Sequence, residues 1–162
     1  MPNANADKGA KFERDIAGYL RTAGLAAAER RVVTGWRRTD RSSPDLGDIK
    51  DLPGLCIQAK NVVKSYPRGL SGKALADFMA ETEAQRVALG AAIGVLVEKR
   101  LGHADPGLSW AHLPANVYLG LVGGLDPYCG DLADLTYPIR TELCYITDAL
   151  VRFSTMCEAE AA

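Results

Sequence analysis

The feature that most constrains the fold is a Pro-Gly pair, Pro53-Gly54, set between two short runs of strand character, GDIKDL and LCIQAKNVV. Proline presets φ at about −65° and glycine accepts positive φ, so the pair favours a type II turn and joins the two runs as an antiparallel hairpin. Side chains alternate along a strand. Leu55, Ile57 and Ala59 therefore face one way, and Cys56, Gln58 and Lys60 face the other. The loop length decides what lies across from them. An odd-numbered loop centred on Pro53 sets Asp51 opposite Leu55 and Asp48 opposite Gln58. A two-residue loop would set Asp48 opposite Ala59, but such hairpins use type I′ or II′ turns, which Pro-Gly does not make. The expected register thus gathers Asp48, Gln58 and Lys60.

The remaining periodicities supply the elements around this hairpin. Residues 8–23 read as a helix, with Phe12, Ile16, Tyr19, Leu20 and Ala23 on one stripe and Gly24 placed to end it. Glu13 borders that buried stripe, while Arg14 and Arg21 point away. ERRVVT, residues 29–34, has the β-branched character of a short strand, and the polar loop GWRRTDRSSP follows. A second helix is expected over 71–90, with Leu75, Phe78, Met79, Thr82 and Leu89 on its apolar side. Gln85 falls within that side, so its amide should be buried or half-buried and need a partner.

AIGVLVEK, 92–99, is the near-continuous apolar strand of a sheet covered on both faces. RLGHADPGLSWAHLPA reads as loop, which leaves His103 and His112 as loop residues. NVYLGLVG reads as a further strand, and GLDPYCGDLADLTYP as an irregular connection. A last helix over 142–157 places Leu143, Ile146, Leu150, Phe153 and Cys157 on one stripe, too short for a coiled coil and suited to packing on the sheet. The order gives an α/β or α+β sandwich. It is expected to be one domain spanning 1–162, with a core over about 8–123 and an extension over about 124–162 that ends in the terminal helix.

Composition narrows the classes. A chain of 162 residues suits one compact domain. No window approaches the ~18 consecutive apolar residues of a membrane span, and the polar start MPNANADKGAKFER lacks the apolar block of a secretory signal. No membrane partner and a cytoplasmic location are the expectations. Cys56, Cys129, Cys144 and Cys157 form no C-x-x-C pair and only two histidines accompany them, which disfavours zinc and leaves free, mostly buried thiols.

The net charge of −1 conceals an asymmetry. Residues 1–73 carry 14 Lys and Arg against 8 Asp and Glu, a net +6; residues 74–162 carry 5 against 12, a net −7. A basic half that contains the hairpin suits a polyanion such as nucleic acid. Arg37, Arg38, Arg41, Lys64 and Arg68 flank the hairpin in sequence and are the expected phosphate contacts, with Trp36 able to stack on a base.

An acid, an amide oxygen and an ammonium group close together make chemical sense for phosphodiester hydrolysis. A hard cation such as Mg²⁺ takes oxygen ligands, activates an attacking water and polarises the phosphate, while a lysine orients the water or neutralises developing charge. Glu13, at the edge of its helix stripe, can add an oxygen.

The stretch KGAKFERDIAGYL, followed by PDLGDI, QAK and the helix that bears Gln85, resembles the PD-(D/E)XK nuclease superfamily, in particular its archaeal and phage Holliday-junction-resolvase-like branch. The resemblance covers roughly residues 8–112 and includes VLVEKRLGHADPGLSW, similar to the closing strand and loop of phage members. It implies a restriction-endonuclease-like core with a central mixed β-sheet flanked by helices, Mg²⁺- or Mn²⁺-dependent cleavage of branched DNA, a role in DNA recombination, and a homodimer. For a phage-encoded member the location is the host cytoplasm. By resemblance, Glu13 matches the helix glutamate, Asp48 the metal-binding aspartate, Gln58 the second ligand and Lys60 the catalytic lysine. Asp45, in the literal Pro-Asp, competes for the aspartate role, and Gln85 is a possible support. The departure is Gln58: the family usually has Glu or Asp there, so this site carries one negative charge fewer. The same core also serves exonucleases, flap nucleases and restriction-type nucleases, and the chain could instead be a non-catalytic DNA-binding accessory.

Overall fold

The computed structural model describes residues 4–32, 45–62, 69–124 and 133–161. Along the chain run α1 (Ala4–Thr22), β1 (Glu29–Arg30), β2 (Ile49–Lys50), β3 (Leu55–Lys60), α2 (Gly72–Leu89), β4 (Ile93–Glu98), β5 (Trp110–Pro114), α3 (Ala115–Gly123), β6 (Pro138–Glu142) and α4 (Leu143–Ala161). The strands form one open sheet in the order β1 to β6. Strands β3 and β4 run parallel, and every other neighbouring pair is antiparallel. The parallel pair needs a crossover, which α2 supplies. The architecture is α+β with a mixed sheet.

The Pro-Gly hairpin forms with the expected register. Leu55 N–H donates to Leu52 O at 3.1 Å, Gly54 has φ +72, and Ile49 lies opposite Ile57. Packing as well as turn geometry requires the glycine. A Cβ on Gly54 would sit 2.6 Å from Cys157 Sγ and 2.9 Å from Phe153 Cε1 of α4. Its carbonyl accepts from Ala92 N and Ile93 N at 2.9 and 3.0 Å, which ties the turn to the start of β4. On the far side of β2, the Glu29–Lys50 ion pair joins directly opposed residues of β1 and β2.

The sheet has two unlike faces, as its alternation dictates. Leu55, Ile57 and Ala59 of β3, Ile93, Val95 and Val97 of β4, and Ala111 and Leu113 of β5 meet Phe12, Ile16 and Leu20 of α1 and Leu143, Ile146 and Leu150 of α4 in one apolar core. The opposite face carries Gln58, Lys60, Glu98, Trp110, His112, Arg140 and Glu142, which fall in register across four strands. α2 packs on the β3 and β4 part of that polar face through Thr82 and Phe78.

Three expectations are corrected. NVYLGLVG is not a strand but α3, since a short apolar run fits either period. Its end is set by Gly124, with φ +64 and an N–H bonded to Gly120 O. WAHLP is not loop but β5, paired on both sides, so His112 is a fully buried strand residue. The thiols are also less buried than expected: Cys56 is buried, but Cys157 is half-buried and Cys144 exposed. Residues past 124 contribute β6 to the sheet and α4 to the main core. Among the described residues no helix is long and apolar enough to cross a membrane.

Candidate active site

Asp48 lies just before β2, where regular pairing with β3 gives out. Its backbone is held from both sides: its N–H donates to Ile57 O at 2.9 Å, and its carbonyl accepts from Arg31 N at 2.7 Å. Gly47, at φ +82, passes so close to Ile57 O and Cys56 Sγ that a Cβ there would sit 3.1 and 3.0 Å from them. This close approach lets the Asp48 side chain reach across, and Oδ2 accepts from Ala59 N at 2.7 Å. Ala59 stands between Gln58 and Lys60, so the carboxylate is fixed beside the Gln-Ala-Lys run. Burial pushes the Asp48 pKa up to about 6 against the Ala59 hydrogen bond, which lowers it; the charges of Glu13 and Asp45 raise it further and Lys60 lowers it.

Gln58 and Lys60 share the face under α2, as alternation requires. Gln58 is 1% exposed, and the Thr82 hydroxyl lies 2.6 Å from its Oε1. Its Nε2 is buried and has no hydrogen-bond partner among the described residues. Lys60 Nζ is 3.1 Å from Glu81 Oε1 and 5.0 Å from the centre of the Phe78 ring. Both contacts come from α2, so the helix sets where the ammonium sits. Glu13 is half-buried on α1, which covers the other face of the sheet, and Arg30 Nε of β1 donates to its Oε2. Its charge reaches Asp48 even so. Asp48, at the frayed sheet end, is therefore the group that senses both Glu13 and Lys60.

The supporting residues divide. Asp45 is exposed and contributes charge to the surroundings of Asp48. Gln85 is 3% exposed, as its position on the helix demands, but its Oε1 has no hydrogen-bond partner among the described residues. Arg37, Arg38, Arg41, Lys64, Arg68 and Trp36 lie outside the described residues. Cys56, two residues before Gln58, is buried, and that burial pushes its thiol up to about 11, which disfavours the thiolate at neutral pH.

Sequence reasoning missed four partners. Arg30 on Glu13 and Glu81 on Lys60 are long-range ion pairs with no local signature. Thr82 left a faint one, a polar residue three before Gln85 on the same apolar side of α2. The fourth is a buried pair on the polar face: Glu98 Oε2 lies 2.9 Å from His112 Nε2, while Glu98 Oε1 accepts from Leu70 N at 2.8 Å. Glu98 is the β4 neighbour of Lys60 in the parallel ladder. A glutamate ending an apolar strand was the signal, since a carboxylate in a two-sided sheet needs partners.

Among the described residues no three His, Cys, Asp or Glu side chains converge closely enough to hold a metal ion. Mg²⁺ does not require such a cage, because it keeps several waters and takes one or two protein carboxylates along with substrate phosphate. Asp48 suits that mode: the charges of Glu13 and Asp45 crowd its carboxylate, and a divalent cation would relieve them. The unpaired end of the buried Gln58 amide is Nε2, a donor that a cation does not satisfy, and Glu13, bound to Arg30, lies over the other face of the sheet. No family model, no curated protein and no solved structure matches the chain.

Proposed function

We propose that this chain is a divalent-metal-dependent DNA endonuclease of the Holliday-junction-resolvase-like type, hydrolysing phosphodiester bonds in branched DNA as a homodimer. The observation that carries the reading is the placement of the Asp48 carboxylate on Ala59 N–H, between Gln58 and Lys60, in surroundings that hold its pKa near about 6. Perturbed acids beside a lysine are common at catalytic sites. The choice of branched DNA rests on the resemblance of KGAKFERDIAGYL, GDI and QAK to that nuclease branch.

In this reading the cation would sit at Asp48, which feels the charges of both Glu13 and Lys60, with Gln58 and Glu13 the further ligands that the resemblance implies. The cation, when bound, polarises the scissile phosphate and makes a coordinated water acidic. Lys60, steered by Glu81 and the Phe78 ring, positions the attacking water and offsets the negative charge that grows on the phosphoryl oxygens. Burial of Gln58 under Thr82 keeps bulk water from one side of this centre.

A cleavage panel tests the reading: four-way junction, flap, linear duplex and single strand, each with Mg²⁺, Mn²⁺ or chelator. Paired symmetric nicks confined to the junction and abolished by chelator are expected. End-dependent degradation would instead assign the core to an exonuclease, and salt-sensitive binding without cutting to a DNA-binding accessory.

A further inference from the structure

Helix α4 has two unlike sides. Leu143, Ile146 and Leu150 are fully buried in the core under the apolar face of the sheet. Away from that core, Tyr145, Asp148, Arg152 and Met156 fall within about 80° of arc at 3.6 residues per turn, a stripe about 16 Å long. Tyr145 is 72% exposed at one end of the stripe and Met156 is 62% exposed at the other. Asp148 and Arg152, between them, are exposed as well.

The two central charges are unused. An acid and a base four residues apart on a helix are spaced to pair, as Lys11 does with Asp15 and Lys73 with Asp77. Asp148 and Arg152 have that spacing, yet neither takes part in an ion pair among the described residues. The stripe reads apolar, acid, base, apolar. Reversed, it reads apolar, base, acid, apolar, which is its own complement. Two copies laid antiparallel about a two-fold axis therefore set Asp148 of each against Arg152 of the other, and the Tyr145 ring of each against the Met156 thioether of the other. A parallel pair would oppose acid to acid and base to base.

We infer that the outward face of α4 is the seam through which two copies of this chain associate, antiparallel and two-fold symmetric. Polyanionic partners do not fit it: α4 carries Asp148, Glu158 and Glu160 against Arg152 alone, which repels nucleic acid and anionic lipid. The inference gives the homodimer of the proposed function its surface, and it stands on α4 without the cleavage chemistry. Because α4 covers the apolar face of the sheet, the seam lies on the far side from Lys60 and buries neither copy's polar face. A single helix pair is smaller than a standard interface, so the association is weak and concentration-dependent.

Sedimentation equilibrium of the full chain over a range of concentrations tests it. The wild type should show a monomer–dimer equilibrium. Arg152→Asp and Asp148→Arg each place like charges across the seam twice, and each should weaken dimerisation by roughly tenfold or more. Mixed in equal amounts, the two variants present opposite charges at both positions and should associate with each other about as strongly as the wild type does. Recovery on mixing also shows that both variants are folded. A wild-type dimer that both single variants retain would overturn the inference and assign the homodimer to another surface. Variants that dissociate singly and fail to recover on mixing would overturn it too. A wild type that stays monomeric throughout would overturn both the seam and the homodimer, while the cleavage panel judges the nuclease reading separately.

Discussion

Asp48 is ionised at neutral pH at a cost to the folded state. Its carboxyl is half-buried, the Ala59 N–H that it accepts from is a neutral donor, and the charges of Glu13 and Asp45 oppose its ionisation. A carboxylate whose pKa is raised on folding stabilises the native state most when protonated. That contribution is present below the unfolded value near about 4 and is lost as pH rises through about 6, a span of order 3 kcal/mol at most. Asp48→Asn removes the titration while keeping an oxygen to accept from Ala59 N. We expect it to raise the thermal midpoint at pH 7.5 by several degrees, to flatten the change in stability between pH 4 and 7, and to abolish cutting. Differential scanning calorimetry across that range checks the first two, and a midpoint lowered at pH 7.5 would contradict the burial argument. On the proposed function, metal binding should strengthen as pH rises through about 6, because a cation takes the ionised form.

At the scale of elements, the site depends on the hairpin register, and the register depends on the turn. Gly54 has φ +72 and no room for a Cβ against Cys157 and Phe153, so Gly54→Ala combines backbone strain with overpacking. A loss of about 2–4 kcal/mol is expected from urea denaturation, with activity falling as Asp48 loses its place beside Ala59. A loss below about 1 kcal/mol would mean that the turn is adaptable and does not hold the register. This hairpin was the most legible part of the chain, because alternation and turn chemistry are local and agree with each other. Helices α1, α2 and α4 were legible for a similar reason, their stripes being long enough to define a period. NVYLGLVG was not, since a run apolar on all sides carries no period, and WAHLP hid behind its Gly and Pro neighbours. At the site, Gln58 and Lys60 followed from their spacing, and Asp48 from the register. Thr82, Glu81, Arg30 and the Glu98–His112 pair come from other elements, and only the tertiary fold reveals which side chains meet.

For the whole molecule, the two-faced sheet divides the work. Its apolar face, closed by α1 and α4, fixes the core. Its polar face runs in register from Lys60 to Glu142 and carries Lys60, Glu98, His112, Arg140 and Glu142. The basic first half of the chain contains Lys60 and Asp48, and the acidic second half contributes α4. If the chain binds DNA as proposed, its affinity should fall steeply with salt and should depend on the basic half far more than on Lys60 alone. The most direct test of the central claim is therefore single-turnover cleavage of a four-way junction in Mn²⁺ by the wild type and Lys60→Ala, with junction affinity measured in parallel. The account predicts that Lys60→Ala lowers the cleavage rate by about 10²-fold or more while the dissociation constant stays within about threefold. Equal cleavage rates, or no cleavage by the wild type with any divalent metal, would contradict it.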